Sequence, residues 1–138
     1  MATVRSVVQS PLLNSPLGSS ENDFQVSECV ESGGEPGEVR KIAPLHRHRT
    51  EDEAWYVLDG CLRFQFGAEE FDAPKGAGVL LPHGTAHSFW NPRPDAARYL
   101  LIARPKTVAL LEVLHDGTDR GSLSLRDLFS RYDIDLLE

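Results

Sequence analysis

The sequence predicts an all-β domain with a short helical tail. Short apolar runs recur at steady spacing, and Gly or Pro turns separate them. That rhythm is typical of β-sandwiches and barrels. Leu62 to Phe66 alternates: Leu62, Phe64 and Phe66 share one face, Arg63 and Gln65 the other, as in a half-buried strand. After Lys106 the pattern changes to helical spacing.

Residues 1–22 are rich in Ser, Pro and Asn. Val4–Gln9 fits a short edge strand, and the rest reads as loop. Phe24–Val30 alternates as a strand, with Phe24, Val26 and Glu28 opposite Gln25, Ser27 and Cys29. Glu31–Gly37 is a turn. Val39–Leu45 forms a strand running on to His48, and Arg49–Asp52 is a polar loop. The run Ala54–Leu58 ends in Asp59-Gly60, and Leu62–Phe66 follows. Asp-Gly between two apolar runs predicts a hairpin. Glu70–Ala73 is a short return strand, Val79–Leu81 and Ala86–Trp90 flank the turn Pro82–Gly84, and Arg98–Ala103 reads as the last strand of the sheet. Lys106–Leu114 lacks turn residues and reads as helix. Ser124 with Asp127 makes a capping pattern. Leu125, Leu128, Phe129 and Tyr132 then fall on one helical face. Such a helix packs on the outside of the barrel, covers its mouth as a lid, or makes a dimer contact.

At 138 residues and 41% hydrophobic content the chain fits one globular domain with a real core. A net charge of −7 argues against a nucleic-acid partner, which needs clustered Lys and Arg. Cys29 and Cys61 match no zinc or redox spacing and read as reduced, partly buried thiols. No stretch approaches the roughly 20 apolar residues of a membrane span. Nothing at the N-terminus resembles a signal peptide, so a cytoplasmic location without membrane contact is expected.

The stretch Pro44–Gly60 carries the chemistry. In a strand, residues two apart share a face, so His46 and His48 point together and Arg47 points away. Glu53 opens the next run, which lets two imidazoles and a carboxylate converge from adjacent strands. His87, near the start of Ala86–Trp90, supplies a fourth candidate. His83 reads as a solvated turn residue and His115 as a cation at a helix C-terminus. Asn91 reads as a turn former, and Glu51 and Asp52 as a solvated acidic loop. No phosphate loop or serine nucleophile motif is present.

These stretches resemble the paired motifs of the cupin family. His46-x-His48, four residues, Glu53, six residues and Gly60 fit the first motif, whose leading glycine is replaced by Arg40. Gly76, Pro82, Gly84, His87 and Asn91 fit the second without a gap. The resemblance implies a single-domain double-stranded β-helix, the jelly-roll cupin barrel, over residues 23–104. Residues 1–22 would be an arm and 105–138 a helical segment packed on the barrel. It also implies that His46, His48, Glu53 and His87 bind one divalent metal. Three imidazoles and a carboxylate suit Fe, Mn, Ni, Co, Cu or Zn. Trp55, Val57, Phe64, Phe66 and Phe89 share the ligand-bearing faces and would fill the core or wall a substrate pocket, Trp55 and Phe89 lying outermost. By resemblance the function is metal-dependent chemistry on a small organic molecule, foremost as an oxidoreductase of dioxygenase type. An isomerase, a decarboxylase or a non-catalytic small-ligand binder are the alternatives. A homodimer is expected on the same ground.

Overall fold

The computed structural model describes residues 7–116 and 123–138. Nine strands and two helices are assigned among them. They are β1 (Gln25–Glu31), β2 (Lys41–His48), β3 (Glu53–Asp59), β4 (Cys61–Phe66), β5 (Glu69–Pro74), β6 (Gly78–Leu81), β7 (His87–Trp90), β8 (Ala97–Ala103), α1 (Pro105–Asp116), α2 (Leu125–Ser130) and β9 (Ile134–Leu136). The strands form two antiparallel sheets, β1-β8-β3-β6 and β5-β4-β7-β2-β9. They face one another as a jelly-roll sandwich and do not close into a continuous barrel. Trp55, Val57 and Tyr99 from the first sheet meet Leu62, Phe64 and Phe89 from the second in one buried cluster. Phe64 lies 5.5 Å from Phe89, nearly parallel, and 5.1 Å from Trp55, edge to face. None of the described helices is long and apolar enough to cross a membrane.

Two expectations fail here, and both failures shape the site. Asp59-Gly60 does not make a hairpin, because β3 and β4 belong to different sheets. The chain passes from one layer to the other at Gly60, which has φ of +77°. A Cβ there would sit 2.7 Å from the Ala96 carbonyl oxygen and 2.9 Å from Ala97 Cα. Glycine is needed for both the dihedral angle and the close approach. The true hairpin is β4–β5, turning at Gly67.

Nor is Ala97–Ala103 the last strand. Ile134–Leu136 adds to the free edge of β2, pairing His46 with Leu136 and His48 with Ile134. Helix α2 is capped as its sequence predicts, with the Ser124 hydroxyl accepting the Asp127 N–H at 3.1 Å. It ends at Ser130, and Asp133 takes a left-handed φ of +58° to redirect the chain into β9. Leu110, Leu128, Phe129, Ile134 and Leu136 form a second core beside β2, with Tyr132 against it, while Leu125 stays exposed. The tail therefore builds part of the sheet as well as covering it. Of Val4–Gln9, residues 4–6 lie outside the described residues, and residues 7–9 form no strand. Leu13 and Leu17 instead bridge to Glu28 and Val26 of β1. Cys29 and Cys61 are free thiols.

Gly60→Ala should destabilise the fold by about 2 kcal/mol or more, from backbone strain plus the close approach. Gly76, at φ +88° with nothing within 4 Å of an added Cβ, provides the control. Urea unfolding that shows equal losses for Gly60→Ala and Gly76→Ala would rule out the close-approach account.

Candidate metal centre

Each candidate ligand sits at the same end of the sandwich. His46 and His48 lie at the end of β2, and His87 begins β7 directly opposite His46 in the sheet register. Glu53 begins β3 in the facing sheet, so the carboxylate comes from across the sandwich and not from a paired neighbouring strand. The chain changes layer between β2 and β3, across the loop Arg49–Asp52, and that crossing puts Glu53 opposite the histidines. The loop between His48 and Glu53 is pinned to the turn before β7: Asp52 Oδ1 accepts the His83 N–H at 2.9 Å, and the Gly84 N–H donates to the His48 carbonyl at 2.8 Å. His83 itself is exposed and pairs with Asp52 through Nδ1.

One donor atom from each of His46, His48, Glu53 and His87 lies within 4.8 Å of all the others, and all four residues are buried. His48 Nε2 is 2.5 Å from Glu53 Oε1 and 3.1 Å from His46 Nε2, and His87 Nε2 is 3.3 Å from Glu53 Oε1. The outward nitrogens fix the tautomers. His46 Nδ1 meets the Pro44 carbonyl at 2.6 Å, and His87 Nδ1 meets the Thr85 carbonyl at 3.3 Å. A carbonyl only accepts, so each Nδ1 carries the proton and each Nε2 turns a lone pair inward. Lone pairs facing a carboxylate oxygen in a buried space need something positive between them, either a proton on one imidazole or a metal cation. Metal–ligand bonds of ~2.0–2.2 Å put donors at most ~4.4 Å apart across an ion, close to the spread observed. The donor set therefore fits a divalent transition metal.

Electrostatics agree. Burial, with the neighbouring His87 and His48 imidazoles, lowers the His46 value from 6.5 to about 4, so this imidazole is neutral at physiological pH. Burial alone would raise the Glu53 value, but in the metal-free chain a proton held by the His48 or His87 imidazole against the carboxylate outweighs it and holds the carboxyl well below the usual carboxylate range. A neutral imidazole and an ionised carboxylate are the forms that bind metals.

The cluster opens on a cavity of about 920 Å³. Trp55, Phe89, Tyr99 and Leu101 wall its inner side, and Val108, Leu111 and Leu114 of α1 roof it. Trp55 and Phe89 thus line the cavity. Val57 and Phe64 are sealed in the core with no exposed surface, and Phe66 packs against that core; none of these three lines the cavity. His115 lies at the end of α1 on the cavity margin. Asn91 organises its turn, accepting the Arg93 N–H at 3.0 Å and donating to the Asp95 carbonyl at 2.8 Å.

Glu51 is the residue the sequence misplaces. It is only 7% exposed, not solvated. Its carboxylate accepts the backbone N–H groups of Lys106 at 3.1 Å and Thr107 at 2.8 Å, and the Thr107 hydroxyl at 2.9 Å. No acidic residue lies in the first turn of α1, so a distant loop supplies the cap. Thr107 then reaches His48 Nδ1 at 3.2 Å. Local spacing carries no signal for that pairing, which spans 56 residues.

The comparisons with known proteins fit this geometry. The cupin-domain family profile matches residues 35–103. Among solved structures, a Silicibacter pomeroyi sugar phosphate isomerase of the cupin superfamily is 22% identical, with 64% of this chain and 57% of that one covered and a TM-score of 0.53. A Bacteroides fragilis cupin protein is 14% identical, covering 75% and 71%, at 0.52. A cupin-2 domain protein from Shewanella frigidimarina is 20% identical, covering 66% and 80%, at 0.50. The chain spans little more than half of the Silicibacter protein's length, and at these identities the likeness is one of fold. No curated protein matches the sequence. With half the chain matched by the profile and both sheets arranged as described, this protein belongs to the cupin domain family.

Proposed function

We propose that this cupin holds one divalent transition metal through His46, His48, Glu53 and His87 and uses it on a small, uncharged, largely apolar molecule, as an oxidoreductase of dioxygenase type. The single observation that carries the metal is the buried convergence of three imidazoles and one carboxylate on one point. Bound there, a metal would supply Lewis acidity or oxygen activation, according to which ion is loaded.

The cavity supports the choice of substrate. Among the described residues, not one Lys or Arg lines it, whereas Glu31, Glu112 and Asp116 do. A phosphorylated sugar, the substrate class in the Silicibacter protein's name, would bring about two negative charges against that wall with no Lys or Arg to meet them away from the metal. An isomerase also needs a free acid–base group beside its substrate. Glu51 is already saturated by three donors. The Tyr99 hydroxyl contacts Glu31, and burial pushes its value far up. The apolar wall of Trp55, Phe89 and Leu101 suits an aromatic or enol-like molecule and excludes water around it. A molecule held against that wall would present its oxygens to the metal, which supports oxygenation.

Elemental analysis should find about one equivalent of transition metal per chain. His48→Ala and His87→Ala should each abolish it; normal metal content in both would refute the ligand set.

For the reaction, oxygen uptake by iron- or manganese-loaded protein across catechols, flavonols and diketones should show turnover. Silence on every member, with measured binding of one, would leave a non-catalytic binder. Turnover of sugar phosphates would replace the proposal with isomerase chemistry.

Acid should weaken the metal-free fold in a defined window. The folded His46 value of about 4 lies below the ordinary 6.5, so the unfolded chain takes up the proton first as pH falls. Stability is full above 6.5 and declines towards 4, by roughly 3 kcal/mol over that span. Glu53, held low, adds a loss that begins as pH drops through its ordinary value of 4.5. Urea midpoints across the range should fall for the wild type, and His46→Gln should flatten the decline between 6.5 and 4.

A further inference from the structure

We propose that Thr107 and Glu51 are positioning residues for the metal ligand His48, so that the helix roofing the cavity sets the geometry of the metal centre. This rests on the metal-binding role proposed above for His48. The three imidazoles are held in two different ways. His46 and His87 donate Nδ1–H to backbone carbonyls two residues upstream, Pro44 and Thr85. Such anchors are fixed by the strand or turn that carries the ring. His48 has no backbone anchor at Nδ1. Its outward nitrogen meets the Thr107 hydroxyl, carried on α1 59 residues later in the chain.

The proton directions along this relay follow from its far end. The Glu51 carboxylate can only accept. Thr107 Oγ1 lies 2.9 Å from Glu51 Oε1, so the hydroxyl proton goes to Glu51; otherwise two oxygen lone pairs would face each other. That leaves a Thr107 lone pair towards His48, which accepts Nδ1–H. The inward Nε2 is thereby left unprotonated, the form a metal binds. Glu51 is locked by two backbone N–H groups of the first turn of α1, Lys106 and Thr107, and by burial. Thr107 is 4% exposed, so water does not compete for the contact. Val108, Leu110, Leu111 and Leu114, further along the same helix, line the cavity. A molecule that shifts α1 in the cavity therefore moves the His48 anchor too.

The plain alternative is that Glu51 merely caps α1 and Thr107 merely completes the cap. Thr107→Val separates the two, because it keeps both backbone donors to Glu51 and the side-chain shape but removes the hydroxyl. The probe is Zn²⁺, titrated against a chelator into the full chain. We expect Thr107→Val to weaken Zn²⁺ binding by about 10- to 100-fold, the range typical of lost outer contacts to a metal-bound histidine, with Thr107→Ser close to wild type. If the valine variant fails to fold, Thr107→Ala reads the same loss. The second readout is the imidazole nitrogen NMR spectrum of the metal-free chain. His48 should carry a proton on Nδ1 in the wild type and in Thr107→Ser, whether or not Nε2 also holds one against Glu53, and should lose it in part in Thr107→Val. Unchanged zinc affinity in folded Thr107→Val, or a wild-type His48 with no proton on Nδ1, would overturn the relay. A wild type that binds no zinc or other transition metal would sink the metal-centre reading instead, while the tautomer still decides the relay.

Discussion

Four acceptors converge in a buried space. Burying an ionised carboxylate is expensive unless positive charge answers it, and here the nearest neighbours of Glu53 are the His48 and His87 imidazoles. The surrounding fold can be understood as the scaffold that keeps these groups from relaxing apart. Strand pairing fixes His46 against His87. The sandwich fixes Glu53 across from them. Backbone carbonyls and one hydroxyl fix the ring orientations. Loosening any one of these would let water in or let a ring flip, and the incentive to hold a cation would fall.

The tail matters because β2 would otherwise be an edge strand. An exposed edge carrying two ligands would fray and would offer its hydrogen bonds to other chains. Strand β9 covers it, and Asp135 clips it from outside to Arg47 at 3.1 Å and to Arg49 at 2.6 Å. Those pairs are largely solvent-exposed and contribute little by themselves. The apolar cluster of Leu128, Phe129, Ile134 and Leu136 does most of the fastening. Phe129 also comes within 6.5 Å of the His46 ring, edge on. The segment after the two-sheet core is therefore part of the environment of the ligands.

How much of this was legible follows from the range of each interaction. The ligand set was legible because metal binding demands particular side chains at spacings that a strand translates directly into a face: His46 and His48 two apart, His87 at the head of its strand. The Asp59-Gly60 hairpin was misjudged because the dipeptide reports a left-handed turn and says nothing about which sheet the outgoing strand will join. The close passage of Ala96 and Ala97 over Gly60 settles that, and those residues are far along the chain. Ile134–Leu136 falls within the segment 105–138 expected to be helical, because three alternating residues cannot be told from a helix end. The break is made by Asp133 at positive φ, a conformation that sequence favours only weakly outside glycine. Glu51 looked solvated because its neighbours Arg49, Thr50 and Asp52 are polar. Its actual partners are the unsatisfied N–H groups of a helix 55 residues on, and no local rule connects them.

The centre has a polar back and an apolar front. Behind His48, the Thr107 hydroxyl and the Glu51 carboxylate complete the hydrogen bonding of the cluster without presenting a free charge to the cavity. In front, Trp55, Phe89 and Leu101 offer surface but almost no donors. A ligand approaching from the front would gain its affinity from apolar contact and, with the proposed metal in place, from whatever atom it gives that ion. An anion would have to shed its hydration against a wall bearing Glu31, Glu112 and Asp116, with no Lys or Arg among the described lining residues to compensate. A neutral ring with one or two oxygens faces no such penalty. It can place its oxygens at the cluster and its carbons against the aromatic wall, and only one orientation does both.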